Sequence, residues 1–191
     1  GPVLDPASFK TVRTIEAPTA GLVALRLDAH VLANSRGPGM RFADVRLLDG
    51  ENRQIPYILE RREEPLSIDL TLKPATEAKA AELKPSPGKA RSVYALTLPY
   101  SKLPSGTLVI ETSARVFQRT AWLGLDRAPD RYRRDPWFDV KASQTWSHAD
   151  AGLAAQPLML KLETIEETEL RLAIDEGDNA PLPIASARLL L

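Results

Sequence analysis

Apolar and polar residues alternate with a period of two in short runs along most of the 191 residues, the pattern of strands that bury one face. Val23, Leu25, Leu27, Ala29 and Val31 alternate with Ala24, Arg26, Asp28 and His30. Ala43, Val45 and Leu47 alternate with Asp44 and Arg46, and Asp49-Gly50 then supplies hairpin-turn chemistry before a return strand carrying Ile55, Tyr57 and Leu59. Ile68, Leu70 and Leu72 follow, and strands are expected again over 92–98 and 107–112. An extended stretch reaches about residue 126. Beyond it Phe138, Val140 and Ala142 alternate with Asp139, Lys141 and Ser143. Three more runs close the chain: Leu158, Leu160, Leu162; Leu170, Leu172, Ile174; and Ala185, Ala187, Leu189, Leu191.

One segment breaks the rhythm. Thr76-Glu77-Ala78-Lys79-Ala80-Ala81-Glu82-Leu83 is rich in helix formers and is followed by Pro85-Ser86-Pro87-Gly88, so a short helix or a looped excursion is expected there. No run has the length and period of a helix that could connect parallel strands. The expectation is an all-β chain of two β-sandwich modules, an N-terminal one over 7–104 and a second over 105–191.

Composition narrows the function classes. Lys plus Arg and Asp plus Glu are 25 each, so the net charge is zero and the basic excess of a nucleic-acid binder is missing. There is no cysteine, which removes disulfides, thiolate metal sites and cysteine nucleophiles together. Sixteen prolines fit many short strands better than a helical bundle. No apolar run approaches the roughly 20 residues that cross a bilayer. The chain stops inside a strand-like run, 187–191, so the natural protein is expected to continue, with a membrane-spanning segment as one such continuation.

The order of elements resembles the extracytoplasmic region of an uncharacterised family of bacterial envelope proteins. Phe42-Ala43-Asp44-Val45-Arg46-Leu47-Leu48-Asp49 with Gln54-Ile55-Pro56-Tyr57 carries that resemblance, as does Leu170-Arg171-Leu172-Ala173-Ile174-Asp175 through Asp178-Asn179-Ala180-Pro181-Leu182-Pro183-Ile184. It implies a bacterial periplasmic or other extracytoplasmic location. The second half alone resembles galactose-binding-like, discoidin-type jelly rolls, in which an extended strand precedes a tryptophan-ended segment and a Leu-Arg-Leu strand comes before a proline-bearing turn. Residues 117–125, Trp146 and 170–174 stand in that order, although the paired terminal cysteines of the discoidin branch are absent. This likeness implies a ligand face built from loops at one end of a sandwich, often for sugars.

Four groups of residues could carry chemistry. Trp122, Trp137 and Trp146 are the only tryptophans. An exposed indole stacks on a sugar ring, whereas a buried one simply fills a core. Trp137, after Pro136 in a charged loop, is the one expected at the surface. Arg127, Arg131, Arg133 and Arg134 could hold a carboxylate, a phosphate or an acidic glycan through paired contacts, or be neutralised by the interleaved Asp126, Asp130 and Asp135. Asp175-Glu176-Gly177-Asp178-Asn179 is the densest set of oxygen ligands, with calcium at Asp175 and Asp178 as one use and an ordinary turn as the other. The spacing does not match an EF-hand, since Gly177 and Ser186 occupy the third and twelfth places. His30 and His148 stand alone, His30 on the polar face of its strand.

Nucleophile-elbow, phosphate-loop and zinc-protease motifs are all missing, and no catalytic or metal-binding residue is assigned. The expectation is a non-catalytic binding or scaffolding ectodomain of the envelope, with glycan hydrolysis by a pair of carboxylates brought together in space as the one enzymatic exception left open. Its ligand would be carbohydrate, bound through Trp137, Trp146, Arg131, Arg133, Asp175, Asp178 and Asn179. The alternative is a purely structural or protein-interaction module, partnered by an envelope protein.

Overall fold

A computed structural model describes residues 1–16, 21–75, 80 and 83–191. The chain is all-β apart from a few helical turns, and its strands pair antiparallel in three sheets. Contacts group it into two compact units, Gly1–Glu64 and Pro65–Leu191. Among the described residues no helix is long and apolar enough to cross a membrane.

The first unit holds one small sheet. Strands β1 (Leu47–Leu48) and β2 (Gln54–Ile55) pair in register Leu47↔Ile55 and Leu48↔Gln54. The hairpin expected at Asp49-Gly50 is present, but its positive backbone angle falls on Asn52 (φ 61°). Asp49 organises the turn by accepting the N–H groups of Glu51 and Arg53 at 2.9 and 2.8 Å. Those donors, the Arg53 N–H foremost, hold the Asp49 carboxyl below its ordinary range.

The strand expected from Val23 to Val31 does not form. Its last three residues open helix α1 (Ala29–Asn34), so His30 sits in a first helical turn. Asp28 caps it, Oδ1 accepting the Val31 N–H at 3.1 Å, and an N-cap carboxylate is worth about 1 kcal/mol to a helix start. Asp28 also pairs with Arg13 at 2.8 Å, and that contact is the main reason its carboxyl titrates low.

Among its described residues the second unit forms a β-sandwich of nine strands. One sheet runs β4 (Leu72–Pro74), β5 (Ala90–Thr97), β10 (Glu169–Gly177), β7 (Phe117–Arg127), β8 (Trp137–His148). The other runs β3 (Ser67–Asp69), β11 (Ile184–Leu190), β6 (Gly106–Thr112), β9 (Leu158–Leu162). The boundary expected near residue 105 therefore falls inside this sandwich: β3 to β5, expected in an N-terminal module, pair with β10 and β11. The run Ile68, Leu70, Leu72 is split in two because the chain crosses from one sheet to the other at Leu70-Thr71.

Period-two burial shows what the alternation was for. Leu96, Leu123, Leu172 and Ile174 line the inner face of the five-stranded sheet, and Leu108, Ile110, Leu158, Leu160 and Leu189 that of the four-stranded one, all at most 2 % exposed. Burying a side chain of this size contributes about 1.5–3 kcal/mol. The outer face of the larger sheet carries a second apolar cluster, Ala80, Leu83, Phe138 and Ala173, with Val93 and Trp122 packed against it. Of the helix expected over 76–83 only Ala80 and Leu83 belong to the described residues.

A bulge between Leu123 and Gly124 corrects the alternation read in β8: Ala142 faces Leu123 and Val140 faces Gly124, so the two lie on opposite sides of the sheet. Gly124 is required there, since a Cβ would lie 2.4 Å from the Asp139 carbonyl oxygen and 2.9 Å from the Phe138 ring.

Candidate functional site

The two ends of β7 present different chemistry. At one end Thr120 pairs with Asp175, and at the other Arg127 pairs with Trp137. Seven residues of strand at about 3.3 Å each put these ends roughly 23 Å apart. The residues expected to form one ligand face are thereby divided, with Asp175, Asp178, Asn179 and Trp146 at one end and Trp137, Arg131 and Arg133 at the other.

The first end is organised around Glu176. A bulge after Asp175, completed by Gly177 at φ 61°, closes β10. Glu176 continues the inward series Leu170, Leu172, Ile174 and is the buried charged residue of the core, 1 % exposed. Its Oε1 accepts the Ser92 hydroxyl at 2.7 Å and the Leu182 N–H at 3.1 Å, and its Oε2 accepts Arg119 Nε at 2.8 Å. Both oxygens are thus occupied.

The turn that follows is spent on itself. Asp175 Oδ1 accepts the Gly177 N–H, while Asn179 Nδ2 donates to the Glu176 carbonyl and to Asp178 Oδ1. A depression of about 330 Å³ lies over this end, walled by Lys89, Gln118, Arg119, Thr120, Asp175 and Glu176. Among the described residues no three His, Asp or Glu side chains converge as metal ligands would.

Trp146 is a core residue. It is 4 % exposed, its ring meets Phe117 edge-on at 5.1 Å, and its indole N–H donates to the Gln156 carbonyl at 2.9 Å. No sugar ring can reach it, so the expected stacking role is corrected to a packing one. Trp122 packs in the outer-face cluster beneath Arg91, whose guanidinium lies 5.1 Å from the ring centre.

The second end is the loop 128–136 between β7 and β8. Asp130 Oδ1 accepts the backbone N–H groups of Tyr132 and Arg133, both at 2.8 Å, and the Asp130 N–H returns to the Arg133 carbonyl at 2.8 Å. This closed turn fixes the backbone that carries the arginines. Arg131 stacks on Tyr132 at 4.6 Å and Arg133 on Trp137 at 5.0 Å. Tyr132 is 79 % exposed and Trp137 half-buried.

Beside the loop the strands carry a compact ion network. Arg127 bonds Asp139 at 3.2 Å and Glu167 at 2.8 Å, and Lys141 reaches Asp139 at 2.9 Å. Lys141, then Arg127, hold the Asp139 carboxyl below the ordinary range. Burial works against the Arg127 charge, but Glu167 and Asp139 outweigh it and raise its pKa. Arg171 similarly pairs with Asp126 at 3.0 Å.

Sequence reasoning did not single out Tyr132 or Arg119, and it read Glu176 only as a turn oxygen. The signal for Glu176 was there: it falls in phase with three inward apolar positions of its own strand. Comparison with family models, curated proteins and solved structures finds no match to this chain.

Proposed function

We propose that the chain is a non-catalytic binding module of the bacterial cell envelope, and that the loop 128–136 with Trp137 is its ligand face, taking carbohydrate. The observation that carries this reading is the pair of aromatic–arginine stacks on a pinned turn, Tyr132 with Arg131 and Trp137 with Arg133. An exposed ring offers a face for a sugar, and guanidinium N–H groups bind its oxygens.

Titration calorimetry with cell-wall glycans tests the proposal. Binding that is lost in Tyr132→Ala and Trp137→Ala, with the far-ultraviolet spectrum unchanged, supports it. Absence of heat across neutral and acidic glycans removes it. The envelope location is tested by fractionating cells that express the full natural protein.

A second reading, a protein-interaction module, is favoured by the first unit. Leu22 is fully exposed there, and Val12, Val23, Leu25 and Ile58 are each about half exposed or more. Leu22, Val23 and Leu25 are neighbours along the chain, and an apolar patch built around them would offer an interaction surface. Capture of an envelope protein that is lost when Leu22 and Leu25 are changed to Ser supports this reading, and unchanged capture rejects it.

A further inference from the structure

Taking the loop 128–136 as the ligand face, we infer that its ligand is anionic, a glycan bearing carboxylates. The first observation is a contrast among arginines. Arg119, Arg127, Arg171 and Arg188, all on strands, each have a carboxylate oxygen within 3.2 Å. Arg131, Arg133 and Arg134 belong to none of the ion pairs found among the described residues. The interleaved acids do not neutralise them by contact: Asp130 spends its carboxylate on two backbone N–H groups, Asp126 is held by Arg171, and Asp135 belongs to no ion pair found among the described residues.

The second observation is how two of these groups are held. A guanidinium lying over an aromatic ring is fixed in plane by the ring's negative face, while its edge N–H groups remain available. Those edges match a carboxylate bidentately, and a stacked side chain loses little further freedom on binding. Arg131 and Arg133 stand two residues apart on a turn that Asp130 closes, so two guanidinium groups, each drawn to a neighbouring ring, are offered from one ordered backbone.

The remaining chemistry selects the polymer. A polynucleotide would need a basic excess, and the chain's net charge is zero. The broad exposed surface of Tyr132 supplies the stacking that a pyranose ring uses.

The experiment compares polygalacturonate with the same polymer fully methyl-esterified, by calorimetry on the intact chain at low and moderate salt. The acid form is expected to bind at least about tenfold tighter, since a charge-assisted hydrogen bond contributes more than a neutral one. Arg131→Gln and Arg133→Gln should each remove about that tenfold, Arg131→Lys should restore part of it, and salt should weaken the acid form alone. All three substitutions sit on an exposed loop, and tryptophan fluorescence verifies the fold. Equal binding of acid and ester overturns the anionic inference and leaves carbohydrate recognition standing. Failure of both polymers overturns both. Vesicles of anionic phospholipid binding as tightly, with the same dependence on Arg131 and Arg133, overturn the assignment to a glycan.

Discussion

Glu176 and Arg119 give the sharpest test of how the sandwich is held together. Glu176→Gln keeps the side-chain size but removes the charge and replaces one acceptor oxygen by a donor. With its NH₂ at the Oε2 position, the glutamine faces Arg119 Nε, another donor, across 2.8 Å. With the amide reversed, it faces the Ser92 hydroxyl and the Leu182 N–H. Either way a buried donor loses its acceptor, and Arg119, its side chain 11 % exposed, loses its counter-ion. Removing one half of a buried pair costs about 3–5 kcal/mol.

Arg119→Met should cost a similar amount, by leaving the Glu176 carboxylate with only two neutral donors. The double variant removes both charges and lets the glutamine oxygen serve Ser92 and Leu182, so its cost should fall to about 1–3 kcal/mol. The two single costs are therefore strongly non-additive, together about 6–10 kcal/mol against about 1–3 for the double variant, a coupling of at least about 3 kcal/mol. Urea unfolding at neutral pH, followed by tryptophan fluorescence, measures all four corners, because the three tryptophans lie in the sandwich. The half-buried Arg188–Glu111 pair, far more open to water than Arg119–Glu176, is the internal control and should contribute about 0–1 kcal/mol. Single costs near zero, or costs that simply add, would refute the account.

Three further outcomes are expected. Gly124→Ala drives a methyl group against the Asp139 carbonyl and the Phe138 ring and should lower stability by about 1–3 kcal/mol, while Gly50→Ala, with nothing within 4 Å, should change little; equal effects in denaturant titration would contradict this. Asp139 has a folded-state pKa below its reference value of 3.8, so its contribution is full above that pH and disappears as pH falls through the lower folded value. Asp139→Asn should accordingly destabilise the protein by about 0.5–1 kcal/mol at neutral pH and by progressively less as the pH falls below 3.8, and a loss that does not change with pH is the contrary result. Because Asp175 and Asp178 already bond within their own turn, a chelator should leave the thermal midpoint unchanged, and a fall of several degrees would assign a metal there.

How much of this was legible in the sequence depends on which force decided each element. From β5 onward the strands were readable because each buries one face, and burial writes a period of two into the chain. Val23 to Val31 shows the same period without a strand, since alternation cannot report whether a partner edge exists, and Asp28 instead starts a helix. The division of the chain was misplaced because the pairing of β5 with β10 joins residues some eighty positions apart, which no local signal encodes. At the candidate site, Trp137 and the arginines were visible as residue types. That Trp146 is interior and that Asp130 serves the backbone depend on contacts which composition does not carry.

The order in which the sandwich strands are made has a kinetic consequence. The middle strand of the larger sheet is β10, and β11 lies inside the smaller one, yet both are the last to leave the ribosome among these residues. Until they emerge, nothing bridges β5 to β7 or β3 to β6, although the β4–β5, β7–β8 and β6–β9 pairs can already form. The two sheets are therefore completed late, at the slow pace of distant pairings, with the inner edges of the earlier strand pairs open to chaperones or to one another in the meantime.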